Sequence, residues 1–390
     1  MHVLLVPSWY PTAELPHDGL YFVDQAQALQ RAGHRVGVVY PEQQSLRRWT
    51  PAAFYRHHFQ TVVRVEEGLP TVRYHGWNVW WRYDRRHDVR IAHARRLARR
   101  YVRRFGRPDV LHAHSARWAA AAAADIGARL EVPHVVTEHF TKFLPSAHVS
   151  KRAAARAAYG LQTAAQAFAV SSALRDAIVA RGWVAPEAVD VLPNMVDTSF
   201  FTRPPTPRPS GPFTFFALGH LHERKGMHDL LDAFARAFGT RRDTRLVIGG
   251  DGPEAQALKA QARRLGIEHH VAFPGALTRG AVRDGLWRAH AFVLPSHSET
   301  FGVVLIEALA TGMPVIATTC GGPEDIVTDA NGLLVPPQQP EALAAALQEM
   351  RTTAASYDPA AIRRAAADTY GASAIARRLT DCYRRVSTAS

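Results

Sequence analysis

Pro295-Ser-His-Ser-Glu-Thr-Phe-Gly-Val-Val-Leu-Ile-Glu-Ala-Leu-Ala-Thr-Gly-Met-Pro-Val-Ile-Ala-Thr318 is the stretch on which the fold turns. The apolar run 291–294 just before it reads as a strand, which empties into a polar loop. A helix is expected to begin near Phe301 and to end at Gly312, ahead of Pro314. Glu299 and Glu307 then stand on either side of that helix start. The N–H groups of Thr300, Phe301, Gly302, Val303 and Val304 would point at the loop, and the helix dipole would add positive potential there. Such a site suits a diphosphate. Flanking carboxylates suit sugar hydroxyls, because an ionised carboxylate accepts strong hydrogen bonds at both oxygens. The plain alternative is an ordinary strand–loop–helix with two solvated glutamates.

Working outward, strands and helices alternate along the whole chain, which argues for an α/β architecture with parallel sheets. Strands are expected at 3–6, 35–39, 110–113, 135–137, 167–170 and 189–192. Phe22, Ala26 and Leu29 fall on one face of a helix closed by Gly33. Arg203-Pro-Pro-Thr-Pro-Arg-Pro-Ser-Gly-Pro212 cannot hold a helix or a central strand and reads as a linker. The alternation restarts after it, at 213–218, 246–248, 271–273, 292–294, 315–317 and 333–335. A chain of 390 residues is too long for one compact core. Two Rossmann-like domains are expected, over 1–203 and 211–371.

Three further segments carry chemistry. Gly219-His-Leu-His-Glu-Arg-Lys-Gly226 lies between a strand and a helix whose apolar face is Leu230, Leu231, Phe234 and Phe238. A glycine-punctuated basic loop in that place can cradle phosphate; as a bland alternative it is a basic surface turn. Ser8 to Gly19 joins the first strand to the first helix, and a glycine there lets backbone approach a ligand. It contains no Gly-x-Gly-x-x-Gly fingerprint. Val135-Val-Thr-Glu-His139 ends a strand on a histidine, and strand C-termini are where open α/β sheets place ligands. His112-Ala-His114 puts two rings on one face of another strand, but no third metal ligand lies near in sequence.

Together these segments resemble the retaining glycosyltransferases of the GT-B fold, and glycosyltransferase family 4 in particular. Glu299 and Glu307 match the Glu-x7-Glu signature. Gly219 to Gly226 is similar to a Gly-Arg-Leu…Lys-Gly segment, with Lys225 on the Lys and His220 where Arg is usual. Pro193-Asn-Met-Val-Asp197, Gly249-Gly-Asp-Gly-Pro-Glu254, Phe273-Pro-Gly275, Gly321-Gly-Pro-Glu324 and Asn331 to Pro336 fall in the family's order. The match is dense over 190–340 and sparse before it. It implies two Rossmann-like domains whose parallel sheets face across a cleft, with the C-terminal helix, about 372–390, packed back on the first domain. It implies that Glu299 holds the transferred sugar, Glu307 the ribose, and that His139 touches the sugar. Lys225, with Arg224 or His220, would neutralise the diphosphate, helped by the N–H groups of 300–304, and Gly19 would let backbone approach the donor. No Asp-x-Asp pair occurs, so the expected type is metal-independent. No cofactor is expected, the nucleotide-sugar being a substrate. The implied activity is a retaining hexosyl transfer from a nucleotide-sugar to a glycan or lipid-linked acceptor, in cell-envelope polysaccharide or glycolipid synthesis. Two other classes stay open: a nucleotide-sugar epimerase of the same fold, and a non-catalytic basic membrane-associated protein.

The formal net charge of +13 favours anionic partners. No nucleic-acid motif accompanies it, so nucleic acid is not an expected partner. Two cysteines, Cys320 and Cys382, make no disulfide framework and suit a reducing cytoplasm. The N-terminus reads as a strand rather than a signal peptide, and no apolar run is long enough to span a membrane. Residues from Arg82 to Arg107 hold eleven arginines, with Ala94, Leu97, Ala98, Tyr101 and Phe105 as an apolar stripe at helical spacing. Trp77, Trp80, Trp81 and Tyr83 lie just before or at its start. Aromatics beside a basic amphipathic helix suit an anionic surface. One expectation is therefore peripheral docking on the inner face of the membrane; the other is a core helix with a solvated arginine face.

Overall fold

The structure, a computed structural model, describes residues 1–390 except 16, 17, 47, 48, 57, 79–82, 145–147, 207–210, 240, 389 and 390, and except the side chains of 56 and 83–85. The chain divides into two compact units, Met1–Pro193 with Ile375–Ser390, and Asn194–Ala374.

The first unit holds one sheet built from β1 (His2–Pro7), β2 (Arg35–Ser45), β3 (Gln60–Glu66), β4 (Leu69–Asn78), β5 (Val110–His114), β6 (His134–Glu138), β7 (Gln166–Ala169) and β8 (Val189–Val191). Their order is β3-β4-β2-β1-β5-β6-β7-β8. All neighbours pair in parallel except β3 with β4. The central strands are apolar runs because helices cover both faces of a parallel sheet; Val3 to Val6 is fully buried. Strand order changes direction between β1 and β5, so the loops leaving Pro7 and His114 border the switch point.

The β3–β4 hairpin lies outside the sequence expectations, and β2 runs six residues past the expected end at Val39. Glu67 and Gly68 close the hairpin with φ of 50° and 78°, the double positive φ of a two-residue hairpin turn. This hairpin also corrects the reading of Trp77, which is a buried residue of β4 rather than part of an aromatic collar. Trp80, Trp81 and Arg82 lie outside the described residues, as do the side chains of Tyr83 and Arg85.

The basic helix runs Tyr83–Phe105. Its stripe of Ala94, Leu97, Ala98 and Tyr101 is buried in the first unit, while Arg96, Arg99, Arg100, Arg103 and Arg104 are exposed. The helix Ala372–Thr388 packs on the same unit from Ile375 onward. Arg378 donates to the Val191 carbonyl at 2.6 Å, and the Tyr383 hydroxyl meets His112 Nδ1 at 2.6 Å. Among the described residues, no helix is long and apolar enough to cross a membrane.

The second unit holds β9 (Phe213–Leu218), β10 (Thr244–Gly249), β11 (Val271–Gly275), β12 (Ala291–Leu294), β13 (Val315–Thr318) and β14 (Gly332–Val335), all parallel, in the order β11-β10-β9-β12-β13-β14. Phe215, Ile248, Val293 and Ile316 pack in its core with Leu230, Leu231 and Phe234 of the helix Met227–Phe238. Each of those large side chains contributes about 1.5–3 kcal/mol by leaving water. Here the switch point falls between β9 and β12, so the loops after Leu218 and Leu294 leave the sheet side by side.

The division falls at Pro193/Asn194 rather than in the proline run expected as linker. Residues 194–202 pack with the second unit. Val196 N–H donates to the Tyr370 carbonyl at 2.8 Å, and Arg363 donates to the carbonyls of Phe201 and Thr198, each at 2.8 Å. Trp287 Nε1 donates to the Thr202 carbonyl at 2.7 Å.

Candidate active site

In the second unit, the chain leaves β9 through Gly219 and makes a short 3-10 turn over Glu223–Lys225. Gly226, at φ 63°, starts the helix Met227–Phe238. A Cβ on Gly226 would stand 1.9 Å from the Pro295 carbonyl oxygen, so the two loops touch backbone to backbone there. His297 N–H donates to the Arg224 carbonyl at 2.8 Å, and the His297 ring meets Asp229 at 2.7 Å. This stitching sets Lys225 Nζ 2.5 Å from Glu299 Oε2. Both side chains keep an opening to solvent, at 17% and 15% exposed.

Glu299 is held by its backbone, with its N–H on the Cys320 carbonyl at 3.1 Å and its carbonyl accepting from Gly322 N–H at 2.8 Å. Its carboxylate is therefore aimed by a rigid frame rather than by a flexible loop. The Glu324 carboxylate closes that frame, accepting from Cys320 N–H at 3.2 Å and Gly321 N–H at 3.0 Å. Burial, with Glu299 and Glu324 nearby, pushes the Cys320 thiol up to about 12, so it stays protonated at neutral pH.

The helix expected near Phe301 runs Val303–Ala310, with Gly302 as its N-cap and no capping side chain. Thr300 and Phe301 are buried in the loop before it. The helix starts two residues later than expected, and the N–H groups of Gly302, Val303 and Val304 have no partner within it. Glu307 lies one turn further on, half-buried. The side chains of His220 and Arg224 are exposed, and the His220 and His222 rings lie 5.1 Å apart. Arg224 is tied to the site by its carbonyl, not by its guanidinium.

In the first unit, Gly19 has φ 79° and starts the helix Leu20–Arg31. A Cβ there would come within 3.2 Å of the Trp9 carbonyl oxygen. His139, 7% exposed, follows β6. Its Nε2 lies 3.3 Å from His114 Nδ1, and the rings of Tyr21 and Phe22 stand 5.3 and 5.1 Å away. His112 and His114 do share a face, with ring centroids 4.3 Å apart. Burial holds His112 down to about 3 and His114 well below the usual range, so both are neutral. His112 bridges Tyr383 and Thr137, which makes it part of the core.

Glu138 stands next to His139 at the end of β6. It is 0% exposed and accepts from Ser115 Oγ at 3.1 Å, His139 N–H at 2.7 Å, Phe140 N–H at 2.6 Å, and Ala116 N–H. It fastens the loop after β5 to the end of β6. Burial pushes its carboxyl up to about 7, against those four hydrogen bonds. A carboxyl whose pKa is raised on folding binds its proton more tightly in the folded state, so stability falls as pH rises from about 4.5 to about 7. Glu138→Gln should remove this slope. It should also cost about 1–3 kcal/mol, because the amide nitrogen would face Ala116 N–H. Denaturant melts at several pH values check both; an unaltered slope would show that Glu138 does not titrate in that window.

Sequence reasoning missed Trp9 and Tyr21, which meet at 3.0 Å beside His139, and Asp229, which orients His297. It also missed a cluster around Arg73, whose only sequence signal was the alternation in 60–78.

The family described as "Glycosyl transferases group 1" matches residues 199–365, and "Glycosyltransferase Family 4" matches residues 19–200. The glycogen synthase of Mycobacterium tuberculosis is 31% identical over 281 residues, which are 70% of this chain and 66% of that relative. The putative teichuronic acid biosynthesis glycosyltransferase TuaC of Bacillus subtilis is 28% identical over 361 residues, 89% of this chain and 88% of that one. Anabaena HepE, solved in complex with UDP, is similar in structure, with a TM-score of 0.74 at 20% identity over 99% of this chain and 100% of that one.

Proposed function

Because this chain belongs to glycosyltransferase family 4 and has the GT-B fold, we propose that it transfers a hexosyl group, with retention, from a nucleotide-sugar to a glycan or lipid-linked acceptor. The observation that carries this reading is the Lys225–Glu299 pair at the switch point of the second sheet. HepE, solved with UDP and glucose, supports a nucleotide-sugar donor, and TuaC supports a place in cell-envelope polysaccharide synthesis.

As glycosyl transfer proceeds, negative charge grows on the departing diphosphate. Lys225 and the N–H groups of Val303 and Val304 stabilise that charge, the part a divalent cation plays in the metal-dependent type. Glu299 receives the hydroxyls of the transferred sugar, Glu307 those of the ribose, and His139 contacts the sugar from the first unit. His220, Arg224 and the backbone at Gly19 supply further donor contacts. No resident cofactor takes part. A panel of nucleotide-sugars in a thermal-shift assay tests the reading: one donor should raise Tm, by about 2.7 kcal/mol of stabilisation at a hundredfold excess over Kd. A flat panel, or release of a free epimer without an acceptor, would count against it.

Contact with an anionic membrane is part of the proposal in a narrowed form. Ala94, Leu97, Ala98 and Tyr101 of the apolar stripe are buried, so the face that the helix Tyr83–Phe105 offers is its exposed arginines, and the attachment it would make is electrostatic. Flotation with anionic vesicles should recover the protein at low salt and lose it at about 0.5 M, where screening is nearly complete. Binding that ignores salt, or none at low salt, removes this part.

A further inference from the structure

The outer edge of an open sheet is a row of backbone groups that a further strand could pair with, and proteins usually blunt it. Two sheets give this chain four such edges. Three are blunted: β8 and β14 have three and four residues, and β11 carries Pro274. β3 differs. It has seven residues, Gln-Thr-Val-Val-Arg-Val-Glu, without lysine or proline, and it pairs only with β4.

The hairpin turn decides which groups face outward. Glu67 and Gly68 make a two-residue turn, so Glu66 and Leu69 exchange both hydrogen bonds across it. Bonded and non-bonded pairs alternate from there, so Arg64, Val62 and Gln60 also bond to β4. Val65 then faces Pro70 in a non-bonded pair, where a residue lacking an N–H is no loss. The N–H and C=O groups of Thr61, Val63 and Val65 point away from β4, and no strand lies beyond them. A second feature marks the same edge. Of the nine large apolar side chains exposed among the described residues, six fall within 46–65: Leu46, Trp49, Phe54, Tyr55, Phe59 and Val65. Phe59, next to β3, has φ 62° and is 55% exposed. That left-handed conformation costs a bulky residue about 1–3 kcal/mol, and the ring it carries gains no burial in return.

We propose that β3 is a self-association edge, on which a second copy of this chain pairs antiparallel about a two-fold axis through Val63. Such an edge needs a strand, because lipid offers its N–H and C=O groups no partner. A strand antiparallel to its own copy meets two-fold symmetry. Centred on Val63, the register bonds Thr61, Val63 and Val65 to Val65, Val63 and Thr61 of the second copy. It sets Gln60 against Glu66 and Val62 against Arg64, so no like charges stand opposite one another. Centred on Arg64, it would oppose two guanidiniums. The axis is perpendicular to the sheet. Arg100 and Arg104, which border Val63 and Val65 in a groove, therefore meet their own copies on one face. Their repulsion should weaken the dimer at low salt. The pairing is independent of the glycosyl-transfer reading.

Light scattering on the full chain should show a dimer with Kd on the order of 10 µM, as a small interface gives, tightening severalfold from about 0.05 to about 0.5 M salt. Val63→Pro removes an outward N–H that β4 does not use, and Val65→Lys adds a charge at an exposed position of the edge. Each should weaken dimerisation at least about tenfold with Tm unchanged; if the proline variant melts early, Val65→Lys decides. The two Val63 Cα atoms would stand about 5.5 Å apart, within disulfide reach. Val63→Cys should therefore cross-link on oxidation beyond the parent chain, and Val62→Cys should not. A chain that stays monomeric at about 200 µM in either salt, a dimer that both substitutions leave intact, or no Val63→Cys cross-link would overturn the pairing. So would a monomer whose vesicle binding is abolished by Phe59→Ser, which would give this surface to lipid.

Discussion

Lys225→Ala is expected to lower kcat/KM by about 10²- to 10³-fold, the usual loss when one preorganised donor to a developing negative charge is removed. The free enzyme stores the Lys225 ammonium against Glu299 at 2.5 Å, in a pair that is only partly screened by water. A donor diphosphate would draw the ammonium away and release Glu299 toward sugar hydroxyls, so one contact prepares both groups. Glu299→Ala should therefore cause a loss of similar size, and the double variant should lose much less than the product of the two. Stability should fall by no more than about 1 kcal/mol in either single variant, because a partly exposed ion pair contributes little. Steady-state kinetics with the best donor, alongside thermal melts, separates these effects. Wild-type turnover in both variants would remove the pair from the mechanism.

Gly226→Ala should have the largest effect on stability, a loss of about 3–4 kcal/mol, which belongs to the uncommon upper range for single changes. Two causes add. Alanine is strained at φ 63°. Its Cβ would also lie 1.9 Å from the Pro295 carbonyl oxygen, a backbone atom that cannot rotate away. The loops after β9 and β12 must then separate, and Lys225, next in the chain, moves off Glu299, so turnover should fall as well. Gly219→Ala is the control, since its Cβ would meet only the flexible Lys225 side chain, at 3.7 Å. A Gly226→Ala variant that melts like the parent would mean that the two loops do not touch as described.

What could be read in advance depended on how local the cause was. The strands from Phe213 to Val335 stand where their apolar runs predict, because a parallel strand covered on both faces needs a continuous run and nothing else. The helix after β12 started two residues late. Phe301 is apolar enough to suggest helix, but it is buried in the loop, and Gly302 takes the cap. The hairpin at 60–78 went unseen because its strands alternate at the edge of the sheet and are interrupted by charges that only a partner strand neutralises; Arg73 reads as a surface residue until Glu42 and Glu66 arrive from two other segments.

Residue type and order by themselves determined the alternation of strands and helices, which follows from spacing within a short window, and the order of motifs by which the chain resembles its family. Tertiary structure alone decided that Lys225 lies against Glu299, that Glu138 is a structural knot, and that the arginine helix buries Ala94, Leu97, Ala98 and Tyr101 of its apolar stripe. Those outcomes depend on contacts between residues dozens to hundreds of positions apart, where burial and charge neutralisation are set by neighbours that no local window contains.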